Sequence, residues 1–158
     1  ENKKIATNIL RLFRKLQPGA EVPDFRLMDV KGNEHSPGDF KGKYIYLEFF
    51  ASWNTSCLQE MKKLEKIENQ YGDKIVFISI SVDDSLKDFV DFTKKNPKYN
   101  WLLLYAGKDK LVKEKYDIKS VPAYFLINRE GYLVLSPAPM PSEGIEFKFR
   151  NMFKEKKR

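Results

Sequence analysis

Four short apolar runs, separated by stretches with helical spacing, constrain the fold of this chain more than any other feature of its sequence. The runs are YIYLEFF at 44–50, IVFISISV at 75–82, WLLLY at 101–105 and AYFLIN at 123–128. Such continuous apolar runs are typical of strands that are covered on both faces. Because these runs alternate with helical patterns, we predict an α/β fold with a mixed central sheet flanked by helices.

Helical periodicity accounts for most of the chain between the runs. Apolar residues recur at the spacing of one helix face at Leu58, Met61, Leu64, Ile67 and Tyr71, then at Leu86, Phe89, Val90 and Thr93, and then at Leu111, Val112 and Tyr116. A final amphipathic helix is predicted after Ser142.

Turn signals and an N-terminal stripe complete the predicted architecture. Turns at 31–33 and 130–131 predict a small first hairpin over residues 25–35 and a closing hairpin after the fourth run. Before Pro18-Gly19, which ends the pattern, a further helical stripe contains Ile5, Ile9, Leu12, Phe13 and Leu16. We therefore expect a helical extension over residues 1–20 and a single domain over residues 21–158.

Charge and composition argue against several classes of function. The chain carries 29 Lys and Arg against 22 Asp and Glu, a net charge of +7. The lysines are scattered, as on solvated helix faces, so no nucleic-acid partner is predicted. No apolar run approaches the ~20 residues of a membrane span, and residues 1–17 are amphipathic, unlike a signal peptide. The lone His35 has no second imidazole with which to form a metal site, and we predict no metal or cofactor.

The stretch FFASWNTSC, residues 49–57, marks the candidate site. It leads from a buried strand through a turn into a helix that begins at about Thr55, and α/β proteins usually carry their chemistry at this end of a strand. Asn54 suits the N-cap of that helix, where its side-chain oxygen can accept a backbone N–H. Pro122 is tolerated as the first residue of a strand, because a proline cannot donate to the sheet.

Cys57, the only cysteine of the chain, has two interpretations. A thiol in the first turn of a helix lies near the positive end of the helix dipole, which favours the nucleophilic thiolate. Alternatively, Cys57 continues the inward stripe of Leu58 and Met61 and is a small buried apolar residue. Taken alone, one cysteine at a helix start favours the buried interpretation.

Glu48 interrupts an otherwise apolar strand. A buried carboxylate is costly unless it is protonated or partnered, and a raised pKa would suit proton exchange with a nearby thiol. Alternatively, a twist of the strand lets Glu48 reach solvent or a lysine. The residues alone do not decide between these two environments.

Together these features resemble the thioredoxin-like superfamily, specifically the TlpA/ResA-like branch of bacterial thiol–disulfide oxidoreductases, sometimes grouped with the thiol-specific antioxidant (AhpC/TSA) proteins. Residues 19–53 resemble the first hairpin and first central strand of that branch, and SVPAYFLINREGYLV at 120–134 resembles its proline loop and closing hairpin. The resemblance runs from about Val22 to Ser136 and implies a thioredoxin-like sandwich.

The active site of the family is Trp-Cys-x-x-Cys, and this chain departs from it at one position. Trp53 and Cys57 match the tryptophan and the second cysteine, whereas Asn54 stands where the first, attacking cysteine should be. An asparagine can cap the helix but cannot form a sulfur–sulfur bond. A dithiol exchange cycle within this chain is therefore impossible.

The resemblance also implies roles for residues outside the motif. Glu48 falls where many thioredoxins carry a buried acid, and Pro122 matches the cis-proline of the family. Val121, which precedes that proline, would offer backbone hydrogen bonds to a bound peptide. By resemblance alone, the partners are protein or peptide thiols and disulfides, and the expected location is the bacterial cell envelope, specifically the periplasm.

Three hypotheses for function follow, and whether the chain is an enzyme stays open. The first is monothiol redox chemistry, with Cys57 as nucleophile, Glu48 as proton acceptor or donor, and Trp53, Val121 and Pro122 as the substrate platform. The second is a catalytically inactive module that binds peptides or proteins in the former substrate groove. The third is a weak peroxidase or peroxide sensor, since Asn54-x-x-Cys57 has peroxiredoxin spacing, although no arginine lies on the following proline strand.

Overall fold

A computed structural model describes residues 16–154 of the chain. The predicted N-terminal helix falls almost entirely outside these residues, and the predicted division at residue 20 stays a prediction. Within the described range, no helix has both the length and the apolar character needed to cross a membrane.

The strands and helices lie close to their predicted positions. The strands are β1 (Leu27–Met28), β2 (Glu34–His35), β3 (Tyr44–Phe50), β4 (Ile75–Ser81), β5 (Leu102–Tyr105), β6 (Ala123–Ile127) and β7 (Leu133–Leu135). The helices are α1 (Thr55–Tyr71), α2 (Leu86–Lys95), α3 (Lys110–Lys115) and α4 (Ile145–Met152), with 3₁₀ turns at Pro37–Phe40 and Pro141–Glu143.

The described residues form a mixed seven-stranded sheet with the order β2-β1-β5-β4-β3-β6-β7. Strands β3, β4 and β5 run parallel, and the remaining pairs are antiparallel. Parallel neighbours need crossover connections, which α1 and α2 supply. The prediction of a mixed sheet flanked by helices is thus confirmed.

The topology brings three chain segments to one edge of the sheet. Phe50 at the end of β3 pairs with Ser81 at the end of the parallel strand β4. On the other side of β3, Phe49 pairs with Ala123 at the start of the antiparallel strand β6. The turn after β3, the loop after β4 and the proline segment before β6 therefore meet at the same edge.

The core has two apolar clusters that include alternate residues of β3. Tyr46 and Phe50 belong to the cluster that contains Cys57, whereas Leu47 and Phe49 belong to the opposite cluster. Side chains alternate between the two faces of a strand. Glu48, midway between Tyr46 and Phe50, is therefore directed to the same face as Cys57.

His35 lies in strand β2, within the predicted first hairpin, and its Nε2 atom is 2.9 Å from Oδ2 of Asp29. Two residues that were assigned to apolar helix faces are instead exposed, Leu86 at 57% and Leu111 at 58%. Helix α3 has only six residues, and Val112 and the C-cap residue Tyr116 supply its buried contacts.

Candidate functional site

Asn54 is the N-cap of α1, as the sequence predicts. Its backbone is extended, with φ −88° and ψ 116°, and its Oδ1 accepts a hydrogen bond from the backbone N–H of Cys57 at 3.0 Å. Its Nδ2 lies 3.5 Å from the carbonyl oxygen of Val121. The side chain at position 54 therefore spans from the first turn of α1 to the segment that precedes β6.

Cys57 is fully buried, with no exposed side-chain surface. Burial and, to a smaller extent, the nearby carboxylates of Glu48 and Asp83 raise the pKa of its thiol to about 11, while backbone hydrogen bonds from Ala51 and Cys57 oppose the shift only in part. The thiol is thus neutral near pH 7. These electrostatics favour the buried, unreactive interpretation of Cys57 over the activated thiolate.

Glu48 is also fully buried, and it has hydrogen-bond partners on both carboxylate oxygens. Ser79 donates to Oε1 at 2.7 Å, and Tyr124 donates to Oε2 at 2.6 Å. Burial raises the pKa of Glu48 to about 7, although both hydrogen bonds act to lower it. Glu48 therefore lies in the interior, partnered by hydroxyl groups, rather than in solvent or beside a lysine.

A buried indole extends this network. Nε1 of Trp101 donates to Oγ of Ser79 at 2.8 Å. An indole N–H can only donate, so the hydroxyl hydrogen of Ser79 is free to point at Glu48. The two hydroxyls and the indole thus fix the carboxyl group in one orientation.

The surface of the site consists of Trp53 and the proline segment. Trp53 is 73% exposed, whereas Val121 and Pro122 are half-buried. The Val121–Pro122 peptide bond is cis in the structure. Beside Pro122 lies a cavity of about 720 Å³, whose lining includes Tyr124, Ser136, Pro137 and Met140.

Sequence reasoning missed the polar residues that support the site. Asp83, which is 1% exposed, accepts hydrogen bonds from Ser52 and Ser81, and Glu48 is held by Ser79 and Tyr124. The sequence did contain a signal for some of these buried polar residues. Ser79 and Ser81 interrupt the apolar run of β4, and Asp83 follows the end of that strand, at the edge where chemistry is expected.

No group of three or more His, Cys, Asp or Glu side chains within residues 16–154 is arranged to hold a metal ion. What the site offers is a capped helix start, a buried neutral thiol, a buried acid and an exposed indole.

Comparison with known proteins agrees with this geometry. The family model described as thioredoxin-like matches residues 42–133, more than half of the chain. The chain belongs to the thioredoxin-like family. Thioredoxin-like protein YneN of Bacillus subtilis is 27% identical to it over 118 residues, which cover 75% of this chain and 69% of YneN.

Further similarities of this thioredoxin-like chain are to thiol–disulfide oxidoreductases. ResA of Bacillus subtilis is 27% identical over 143 residues, covering 88% of this chain and 77% of ResA. A crystal structure from Bacteroides vulgatus, provisionally described as a thiol–disulfide oxidoreductase, is 33% identical with a TM-score of 0.79, covering 87% of this chain and 97% of that chain. The resemblance to TlpA/ResA-like proteins is thereby confirmed.

Proposed function

We propose that this thioredoxin-like chain is a module that binds protein or peptide partners and does not carry out thiol–disulfide exchange by itself. The observation that carries the proposal is the state of Cys57, which is fully buried with a pKa of about 11. The thiolate is the attacking species in disulfide exchange. At pH 7, a thiol of this pKa is ionised in roughly one molecule in 10⁴.

The replacement of the attacking cysteine supports the same proposal. Asn54 occupies that position and already uses its side chain to cap α1 at Cys57. The group nearest to a partner at the surface is then the Trp53 indole, which is 73% exposed. Tryptophan is among the residues most enriched at energetically dominant positions of protein interfaces. Val121 and Pro122 belong to the segment that Asn54 contacts, and they would complete the contact with a peptide.

Monothiol redox chemistry is the second candidate, because one observation favours it. Glu48, with a pKa of about 7, is directed to the face of the sheet where Cys57 lies and could accept its proton. Such a reaction would need a partner disulfide to reach a buried sulfur. The geometry therefore supports the binding module better.

The peroxidase hypothesis has less support. Its chemistry requires an arginine beside the thiolate, on the strand that starts after Pro122. Arg129 lies beyond the far end of that strand, where its guanidinium is 5.3 Å from the ring centre of Tyr44 at the start of β3. This arginine is at the opposite end of β3 from Cys57.

We further infer, from family resemblance, that the protein acts in the bacterial cell envelope, in the periplasm. Protein or peptide partners that carry thiols or disulfides would fit this proposal, because relatives of the chain are thiol–disulfide oxidoreductases.

Alkylation of Cys57 tests the proposed function. We expect iodoacetamide to label the folded protein very slowly from pH 6 to pH 9 and to label the unfolded protein completely, because the sulfur is buried and neutral. The measurement is intact mass against time at each pH. Cys57→Ser provides the blank for labelling at other side chains.

The opposite result would favour monothiol chemistry. Fast labelling of the folded protein, with a midpoint well below the free-thiol value of about 8.5, would show an accessible thiolate. The binding proposal would then be abandoned for the redox one.

A further inference from the structure

Asp83 is a buried carboxylate to which the proposed function gives no role. It lies two residues beyond the end of β4 and is only 1% exposed. Buried carboxylates require hydrogen-bond donors, because the cost of removing the charge from water is otherwise large. The donors to Asp83 therefore show what this residue holds in place.

Three donors come to Asp83 from two different segments. Its Oδ1 accepts from the backbone N–H of Ser52 at 2.9 Å and from the Ser52 hydroxyl at 3.0 Å. Its Oδ2 accepts from the hydroxyl of Ser81 at 2.7 Å. Ser52 belongs to the turn between β3 and α1, whereas Ser81 is the last residue of β4. One carboxylate thus joins the turn of the site to the neighbouring strand.

The segment that carries Asp83 is itself firmly held by backbone hydrogen bonds. The N–H of Val82 donates to the carbonyl of Phe50 at 2.9 Å. The carbonyl of Ser81 accepts from the N–H groups of Ala106 at 2.9 Å and Gly107 at 3.2 Å. The backbone beside Asp83 is therefore fixed to the ends of β3, β4 and β5. Asp83 can thus hold the turn between β3 and α1 in a constant position.

Asn54 holds the other end of the turn. Its Oδ1 accepts from the backbone N–H of Cys57, and its Nδ2 contacts the carbonyl oxygen of Val121. Trp53 lies between the two anchors, with Ser52 on one side and Asn54 on the other. Its side chain is the most exposed large apolar group at this site, at 73%. The backbone that carries this exposed indole is therefore held on both sides before a partner arrives.

We propose that Asp83 is a positioning residue that fixes the turn of residues 51–54 and thereby presents Trp53 to a bound partner. Binding loses less conformational entropy when the contact residue is ordered beforehand. The functional meaning of this inference rests on the proposed binding function, whereas the positioning itself does not. Asp83 acts through Ser52 and makes no contact with a partner.

Asp83→Ala is the informative variant, because alanine removes both oxygens that join Ser52 to Ser81. Asparagine would not separate the two segments, since its oxygen can still accept from Ser52 while its NH₂ group donates to the hydroxyl oxygen of Ser81. Ser52→Ala removes one donor from the turn side and leaves Asp83 unchanged. Asp84→Ala is the matched control, since Asp84 is the exposed neighbour of Asp83.

The experiment is ¹⁵N relaxation of the backbone amides of Trp53 and Asn54 in the folded protein and its variants. We expect order parameters of about 0.85 in the unchanged protein and in Asp84→Ala, falling below about 0.6 in Asp83→Ala. In Ser52→Ala, which keeps the backbone donor, we expect a smaller fall. The amide of the buried Trp101 should stay rigid in all variants and reports on the fold as a whole.

An ordered turn in Asp83→Ala would overturn the inference. If that variant does not fold, Ser52→Ala decides, and unchanged order parameters there would overturn it as well. Either failure leaves the slow alkylation of Cys57 untouched. Conversely, fast alkylation would remove the binding proposal without affecting the order of the turn, so the two failures are distinguishable.

Discussion

Replacing Asn54 with cysteine is expected to create a dithiol site and to give the chain dithiol–disulfide exchange activity. The side chain at position 54 already lies over the first turn of α1, with Oδ1 3.0 Å from the backbone nitrogen of Cys57. A thiolate introduced there would be near the positive end of the helix dipole and at the surface of the site. Cys57 would then transfer its proton to Glu48 and attack the sulfur of the introduced cysteine in the mixed disulfide, which forms the internal disulfide and releases the substrate thiolate.

The size of the effect follows from proximity. Two groups held in reactive geometry reach effective molarities of about 10⁵–10⁸ M, so we expect the rate of insulin disulfide reduction to rise at least about 10²-fold over the unchanged chain. Loss of the Asn54 cap should cost about 1 kcal/mol of stability in the reduced variant. The measurements are insulin reduction with dithiothreitol and the loss of two hydrogens by intact mass on oxidation.

Two further variants make this result specific. Asn54→Ser keeps a side chain able to cap the helix but adds no thiol, and should remain inactive. Asn54→Cys combined with Cys57→Ser should trap a mixed disulfide with the substrate and fail to turn over. If Asn54→Cys folds and yet forms no internal disulfide, the first turn of α1 is not arranged for dithiol chemistry.

The sequence predicts the fold of this protein well because its strands are marked by continuous apolar runs. The predicted strand at 44–50 matches β3 at both ends, and the other three runs differ from β4, β5 and β6 by one residue at an end. The apolar runs did not predict the order of the strands in the sheet, which depends on their pairing. The course of residues 1–15 lies outside the described range and stays a prediction.

The site was less accessible to sequence reasoning, because its partners are set by strand register. Glu48 could be singled out as a polar residue in an apolar strand. Its contacts with Ser79 and Tyr124 could not be predicted, since these residues face Glu48 only in the pairing of β3 with β4 and with β6. The burial and the pKa of Cys57 likewise depend on how α1 packs against the sheet, which the spacing of residues does not determine.

The buried carboxyl group of Glu48 should make the stability of the protein fall as the pH rises from about 4.5 to about 7. Its pKa is near 7 in the folded protein and near the ordinary value of 4.5 when unfolded. Between these values the folded state binds the proton more tightly, so unfolding releases it, and the free energy of unfolding decreases with pH. The contribution is fully present below pH 4.5 and is lost as the pH passes through 7.

At 1.36 kcal/mol per pKa unit, the loss amounts to about 3 kcal/mol for Glu48 alone. Glu48→Gln removes the ionisation and retains the shape, so the difference in unfolding free energy between this variant and the unchanged protein should change by that amount across the window. Urea denaturation at several pH values from 4 to 8 measures it. Glu130→Gln, at the exposed turn between β6 and β7, should reproduce the unchanged profile. If the free energy of unfolding of Glu48→Gln instead changes with pH in the same way as that of the unchanged protein, Glu48 ionises near its ordinary pKa. It would then be unsuited to accept the proton of Cys57.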